Sequence, residues 1–257
     1  MFTIKKYMKA QNLDEAYEVL QKSPKATILG GGHFLKMGNK RITTAIDLNE
    51  LGLSYIFVGK EWIEIGGTTT LSEIEDHQFF STFCHGILQK SIKKIASRQL
   101  RNTAQIGASV YSKYSFSDVI PPLLLLNAQV EFYGRGIMDL EDYLNIPPFR
   151  DILTKIRIPN IDKKSIYLAE RQNAQDFPLL NLAIQKDELK IVLGSRPGKA
   201  KVLRKTAKAL ENKEKNRRAI AIEEANLGSN LKCDKKVREW IFLGLLDQGL
   251  KEIAYGN

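Results

Sequence analysis

Between Ser97 and Asp118 the chain gathers the residue types that receive a charged or hydroxyl-rich ligand. The stretch reads Ser97-Arg98-Gln99-Leu100-Arg101-Asn102-Thr103-Ala104-Gln105-Ile106-Gly107-Ala108-Ser109, and Asp118 closes it. Two arginines, an amide-rich turn, a glycine and small residues form a loop where an anionic or polyhydroxyl ligand can reach the backbone. A second loop of this kind lies upstream, Leu29-Gly30-Gly31-Gly32-His33-Phe34-Leu35, directly after the strand-like Ala26-Thr27-Ile28-Leu29. Two such loops in one chain suggest one large phosphate-bearing ligand held at two points.

Each loop also has a plain structural reading. Successive glycines permit positive φ and expose N–H groups that can form an anion nest, and a helical turn from His33 would add the positive end of its dipole. The same glycines serve equally as a tight strand-to-helix connection. Their spacing is neither GxGxxG nor GxxxxGK[ST], so neither a dinucleotide fingerprint nor a P-loop is supported. In the second loop Gly107-Ala108 offers close backbone approach, and Thr103, Ser109 and Ser112 offer hydroxyls. Asp118 can accept from ligand hydroxyls or can cap the following helix. Arg98 and Arg101 can contact phosphate or form surface ion pairs.

Composition sets the limits. The chain has 257 residues, 43% of them hydrophobic and 26% charged, ordinary values for a globular protein. No apolar run reaches the roughly 20 residues of a membrane helix. The N-terminus lacks the apolar core of a signal peptide, so cytoplasmic residence is expected. Cys84 and Cys233 stand alone, without a CxxC pair, and only three histidines occur. They provide no iron–sulfur or zinc ligand set, and no metal site is expected. The net charge is +10, concentrated in Lys199, Lys201, Arg204, Lys205, Lys208, Lys213, Lys215, Arg217 and Arg218. These alternate with Val202, Leu203, Ala207 and Leu210 at helical spacing, which reads as a solvated helix face. No aromatic residues interleave for base stacking, which argues against nucleic acid.

Around the two loops, periodicity places strands at 2–7, 26–29, 43–47, 55–58, 62–65 and 128–132. Asn12 with Glu15 and Thr70 with Glu73 form capping boxes for two helices. A helical pattern runs from Phe79 to Ile95, and Val119 to Leu126 reads as a buried helix with prolines in its first turn. Near Pro147-Pro148 the character changes. Ile152 to Ile158, Ser165 to Leu168, Leu179 to Ile184 and Leu189 to Leu193 then read as successive antiparallel strands, and the tail from Lys199 is helical.

Together these segments resemble the FAD-binding subunit of molybdenum hydroxylases, the family of the xanthine dehydrogenase FAD domain and the carbon monoxide dehydrogenase medium subunit. The family's first loop, A-G-G-[HTQ]-S-L, is matched by Gly30-Gly31-Gly32-His33-Phe34-Leu35. Its second, R-N-x-A-T-I-G-G-N-I, is matched by Arg101 to Val110, followed in register by Ser117-Asp118 and by Pro122-Leu123-Leu124-Leu125-Leu126-Asn127-Ala128. Leu140-Glu141-Asp142-Tyr143, Ile156-Arg157-Ile158-Pro159 and Ala174-Gln175-Asp176-Phe177-Pro178-Leu179 match three further family segments. The chain departs from the pattern where Ala108 replaces the second glycine, Ser109 an asparagine, and Leu168 a lysine.

The resemblance implies an α+β fold. A vanillyl-oxidase (PCMH)-type FAD-binding domain would occupy 1–150, in two α/β lobes of about 1–55 and 56–150. A C-terminal domain over 151–257 would carry a three-stranded antiparallel sheet with helices. It also implies the cofactor, FAD, lying extended between the lobes. Its implied contacts are Leu29, Gly30, Gly31, Gly32, His33, Phe34, Leu35, Thr103, Ile106, Gly107, Ala108, Ser109 and Ser112. Asp118 would bind near the ribityl chain, and Ile156 or Ile158 would lie against the flavin ring. No acid–base catalyst is implied.

The function so implied is an electron-transfer subunit of a molybdenum-dependent oxidoreductase. Electrons would pass from [2Fe–2S] clusters of a small partner subunit, supplied by a large molybdopterin-containing subunit, through FAD to an acceptor such as NAD. Two rival readings stand beside it. One is a scaffold subunit of the same fold without FAD, motivated by Ala108, Ser109 and Leu168. The other is a basic nucleic-acid-binding protein, motivated by Lys199 to Arg218.

Overall fold

The computed structural model describes residues 2–255. The chain forms two compact units. The first comprises the chain up to Ile74 with Ser97–Ser112 and Asn127–Asn160; the second comprises Glu75–Ala96, Lys113–Leu126 and the chain from Ile161 onward.

The first unit holds two sheets. β1 (Thr3–Lys9), β2 (Thr27–Ile28) and β3 (Arg41–Asp47) form a parallel sheet in the order β1-β3-β2. Helix Leu13–Lys22 makes the crossover. Its start follows from Asn12, whose side chain accepts from the Glu15 amide at 2.9 Å, while the Glu15 carboxylate accepts from the Gln11 amide at 2.7 Å. Ala16 and Leu20 then pack against Ala10, Ala26, Ile46, Leu48 and Ile152.

The second sheet is antiparallel. It contains β4 (Ile56–Val58), β5 (Trp62–Gly66), β6 (Gln129–Phe132), β7 (Gly136–Asp139) and β8 (Leu153–Pro159), in the order β4-β5-β8-β6-β7. β8 pairs with β5 on one side and β6 on the other. The segment Ile152 to Ile158 therefore does not open the C-terminal sheet, as the run of strand signals suggests. Both its edges are filled inside the first unit, which continues past residue 150. Side-chain alternation divides the sheet's faces. Ile63, Ile65, Val130, Phe132, Ile156 and Ile158 face the interior, while Glu64, Glu131, Lys155 and Arg157 pair on the other face.

In the second unit, β9 (Ser165–Glu170), β10 (Leu180–Gln185), β11 (Lys190–Gly194) and β12 (Lys201–Val202) form an antiparallel sheet in the order β12-β11-β10-β9. Three long strands are thus joined by a two-residue fourth at the edge. Helices Arg204–Glu211, Arg217–Ala225 and Lys235–Tyr255 cover one face, burying Leu182, Ile184, Ile191 and Leu193 against Ala207, Ala221, Phe242 and Leu246. The other face meets helix Ile120–Leu125, which begins with its prolines in the first turn.

The expected helix from Phe79 to Ile95 is broken. Helix Gln78–Thr82 ends, a 3-10 turn spans Phe83–Gly86, and helix Ile87–Lys93 follows. Cys84, His85 and Gly86 are all left-handed, with φ of 48°, 58° and 69°. The Cys84 amide is drawn out of any helical ladder by the Asp162 carboxylate, 2.6 Å away. Helical periodicity in the sequence cannot register a partner 78 residues distant.

Candidate functional site

The first loop leaves β2 with the Leu29 amide donating to Ile46 O at 2.8 Å. Gly31 and Gly32 then turn left-handed, at φ of 83° and 69°, and helix His33–Lys36 begins. Among the described residues, no protein acceptor takes the amides of Gly30, Gly31 or Gly32. Three successive donors without partners at a left-handed turn form an anion nest. Leu29 and Leu35 are half-buried, and Phe34 is 40% exposed.

The second loop is two short helices, Arg98–Arg101 and Ile106–Tyr111, joined through Asn102-Thr103-Ala104-Gln105. The Ser97 hydroxyl caps the first of them by accepting from the Leu100 amide at 3.3 Å. The loop is pinned by a neighbour that carries its own sequence signal, Gly66-Gly67-Thr68-Thr69-Thr70, of which the capping pattern singles out only Thr70. The Gly107 amide donates to Gly67 O at 3.0 Å and the Ile106 amide to Thr69 O at 2.9 Å. The Leu71 amide donates to Ala104 O at 2.8 Å. A Cβ on Gly107 would stand 2.4 Å from Gly67 O, and one on Gly67 2.3 Å from Leu153 O. Both must be glycine for these backbones to touch. Gln105 adds a side-chain tie, its Nε2 donating to Asn49 Oδ1 at 2.7 Å.

The structure brings the two loops against each other. A Cβ on Gly30 would stand 2.2 Å from Ala108 Cβ, and one on Gly31 would stand 2.3 Å from Thr103 O. His33 Nε2 lies 2.8 Å from Thr103 Oγ1. The Thr103 hydroxyl also donates to Leu100 O at 3.2 Å. Burial, with Lys36 nearby, holds the His33 imidazole pKa below its ordinary value. Ala108 sits inside a helix and strains nothing. The hydroxyls of Ser109 and Ser112 donate to Gln105 O and Ala108 O, which leaves their lone pairs for a ligand. Thr68 Oγ1 is buried without a partner beside the segment that anchors the second loop.

The chemistry of this donor set fits a diphosphate: unpartnered amides, no carboxylate, and a floor that a single Cβ would fill. The amides of Ile106 and Gly107 are already engaged, so the second loop offers hydroxyl oxygens and an apolar Ala108 surface instead.

Asp118, Ile156, Ile158 and Arg101 are placed as follows. Asp118 lies in the second unit, 5% exposed, and neither caps a helix nor presents a free carboxylate. Its Oδ1 accepts from Tyr167 Oη and Arg171 Nη2, and the capping role falls to Ser117, whose hydroxyl accepts from the Ile120 amide at 3.3 Å. Burial is the largest influence on the Asp118 carboxyl and raises its pKa, against the pull of Arg171, Tyr167 and Asn181. Ile156 and Ile158 are both 0% exposed in the interior of the first unit. Arg101 is buried. The basic tail does form a helix face: Thr206, Ala207 and Ala209 are buried, while Arg204, Lys205 and Lys208 are exposed. No helix of the described residues is long and apolar enough to cross a membrane, and no metal-ligating cluster occurs among them.

Residues 2–161 match the family described as the FAD binding domain in molybdopterin dehydrogenase. The chain is 28% identical over 173 residues to the nicotinate dehydrogenase FAD-subunit of Eubacterium barkeri, covering 60% of this chain and 58% of that one. It is 26% identical over 144 residues to the xanthine dehydrogenase FAD-binding subunit of Escherichia coli O157:H7, covering 53% and 49%. An uncharacterized Escherichia coli K12 protein, YgfM, is 27% identical over 158 residues, 60% of this chain and 59% of that one. The chain thus spans under two thirds of the curated relatives it matches. Among solved structures, carbon monoxide dehydrogenase from Oligotropha carboxidovorans superposes with a TM-score of 0.86 at 20% identity, over 97% of this chain and 96% of that one. Quinoline 2-oxidoreductase from Pseudomonas putida 86 does so with a TM-score of 0.86 at 17% identity, over 99% and 98%. These two likenesses concern the fold.

Proposed function

The chain belongs to the family of FAD-binding domains of molybdopterin dehydrogenases, and from that premise we propose that it is the FAD-carrying electron-transfer subunit of a molybdenum hydroxylase. The observation that carries this reading is the row of unpartnered amides at Gly30, Gly31 and Gly32, closed against Thr103 and Ala108. In this reading those amides and the turn at His33 hold the pyrophosphate, while Thr103, Ser109 and Ser112 accept from ligand hydroxyls. His33 fixes Thr103. Bound FAD supplies the redox chemistry, and the chain supplies position and local electrostatics. Electrons would arrive from [2Fe–2S] clusters of a small partner subunit, fed by a large molybdopterin-containing subunit, and leave to an acceptor such as NAD in the cytoplasm. Two of the named relatives are FAD subunits of dehydrogenases, which supports the assignment as part of an oxidoreductase.

The test begins with the purified chain. It should carry visible flavin absorbance and release stoichiometric FAD on denaturation, and affinity purification from its source should bring a molybdenum-containing and an iron–sulfur partner. A colourless chain that takes up no added FAD would support the scaffold reading, which the Ala108 methyl between the loops favours.

A further inference from the structure

In the second unit one buried arginine occupies the carboxylate that the family resemblance would offer to a cofactor. Arg171 follows β9 and its side chain is 8% exposed. Its Nη2 donates to Asp118 Oδ1, and its Nη1 donates to Asp176 O. Asp118 also accepts from Tyr167 Oη, and Asn181 Nδ2 donates to Tyr167 Oη at 3.1 Å and to Ser117 O at 3.0 Å. The Ser195 amide donates to Ser115 O at 2.9 Å. The sheet thus grips the segment from Ser115 to Asp118 at both ends. Through Asp176 the same guanidinium also grips the turn bearing Phe177, whose ring lies 4.3 Å from that of Phe116.

We infer that Arg171 is a positioning residue that commits Asp118 to the interior of the second unit, so that Asp118 holds the 115–118 segment to the 173–178 turn rather than a cofactor hydroxyl. The two arms of one guanidinium reach the two segments, and both of the ion pair's charges are removed from water. Such a pair is strongly destabilised when one partner is lost, because the other is left charged and buried. Three buried polar atoms around it, Arg171 Nε, Asn181 Oδ1 and Ser195 Oγ, have no protein partner. Their donor and acceptor character suits ordered water, which would complete the network without a ligand.

The inference rests on the cofactor reading only for what Asp118 is not; its structural half can be measured on the apo chain. The experiment takes D118N, R171M, the conservative R171K and Y167F in the full chain. It reads the melting temperature of the apo protein, chymotryptic cleavage after Phe116, and FAD affinity by flavin fluorescence. D118N and R171M should each melt at least about 6 °C lower and become cleavable at Phe116. R171K should restore part of both effects by keeping the charge. FAD affinity of every folded variant should stay within about threefold of the native chain. Should D118N fail to fold, R171K and Y167F carry the same comparison. A variant that melts and resists cleavage like the native chain, yet binds FAD at least about tenfold more weakly, overturns the inference. So does the absence of any change in melting and cleavage across the series. A native chain that binds no FAD removes the proposed function and leaves the melting and cleavage comparison standing.

Discussion

Gly30 and Ala108 are packed so closely that a Cβ on Gly30 would fall 2.2 Å from the Ala108 methyl. The methyl stands where the first loop meets the helix of the second, and it does so without backbone strain because Ala108 is helical. The family pattern has two adjacent glycines in the second loop. Here one of them, Gly107, meets Gly67, and the other position carries a methyl that requires glycine at position 30.

This contact predicts opposite outcomes for size changes at 108. A108G should cost only about 0.5–1 kcal/mol, the helix-propensity difference, and leave FAD binding intact or improved. A108V should overpack the junction, cost about 1–3 kcal/mol, and displace the first loop enough to weaken FAD binding. Urea unfolding together with FAD titration checks both.

Gly31 and Gly32 share left-handed backbone but not surroundings. A Cβ on Gly31 meets Thr103 O at 2.3 Å, whereas one on Gly32 meets nothing within 4 Å. G32A should therefore cost about 1–2 kcal/mol from its φ alone. G31A should cost clearly more and abolish FAD binding, because the carbonyl cannot yield without moving the second loop. Thermal melts of the two variants, measured side by side, decide it.

Burial pushes the Cys84 thiol up from 9.0 to about 11. A group whose folded pKa lies above its unfolded value stabilises below the unfolded pKa and loses that contribution as pH rises. The window is therefore about pH 9 to 11, and two units correspond to roughly 2.7 kcal/mol as an upper bound. Unfolding midpoints of the native chain should fall more steeply across that window than those of C84A. The native thiol should also resist alkylation at neutral pH until the chain is unfolded.

Arg238 is 1% exposed, and its guanidinium donates to Leu179 O, Gly228 O, Cys233 O and Asn230 Oδ1. R238M should leave Leu179 O and Gly228 O without a donor, while Cys233 O keeps the Asn230 amide and Asn230 Oδ1 keeps the amides of Lys232 and Cys233. The expected loss is about 3–5 kcal/mol, read as a lower urea midpoint. R238K, with a single ammonium in place of a planar fork, should recover only part of it.

The family, the glycine loops and the capped helices at Asn12 and Thr70 were legible in the sequence because each depends on neighbours within a few residues. Three glycines between a strand and a helix permit the left-handed turn that Gly31 and Gly32 adopt, and an Asn or Thr followed three residues later by Glu satisfies orphan amides locally. The alternation of Ile156 and Ile158 around Arg157 marked a strand in the same way. What that strand pairs with, and that both isoleucines face the interior, depended on β5 and β6 closing on its two edges. The break at Cys84 needed Asp162, and the fate of Asp118 needed Tyr167 and Arg171, all distant in the chain. The sequence therefore determined which residues could meet a phosphate-bearing ligand. Only the tertiary structure decided which keep free donors for it, because a buried polar group takes whatever partner packing delivers, and in Asp118 packing delivered an arginine.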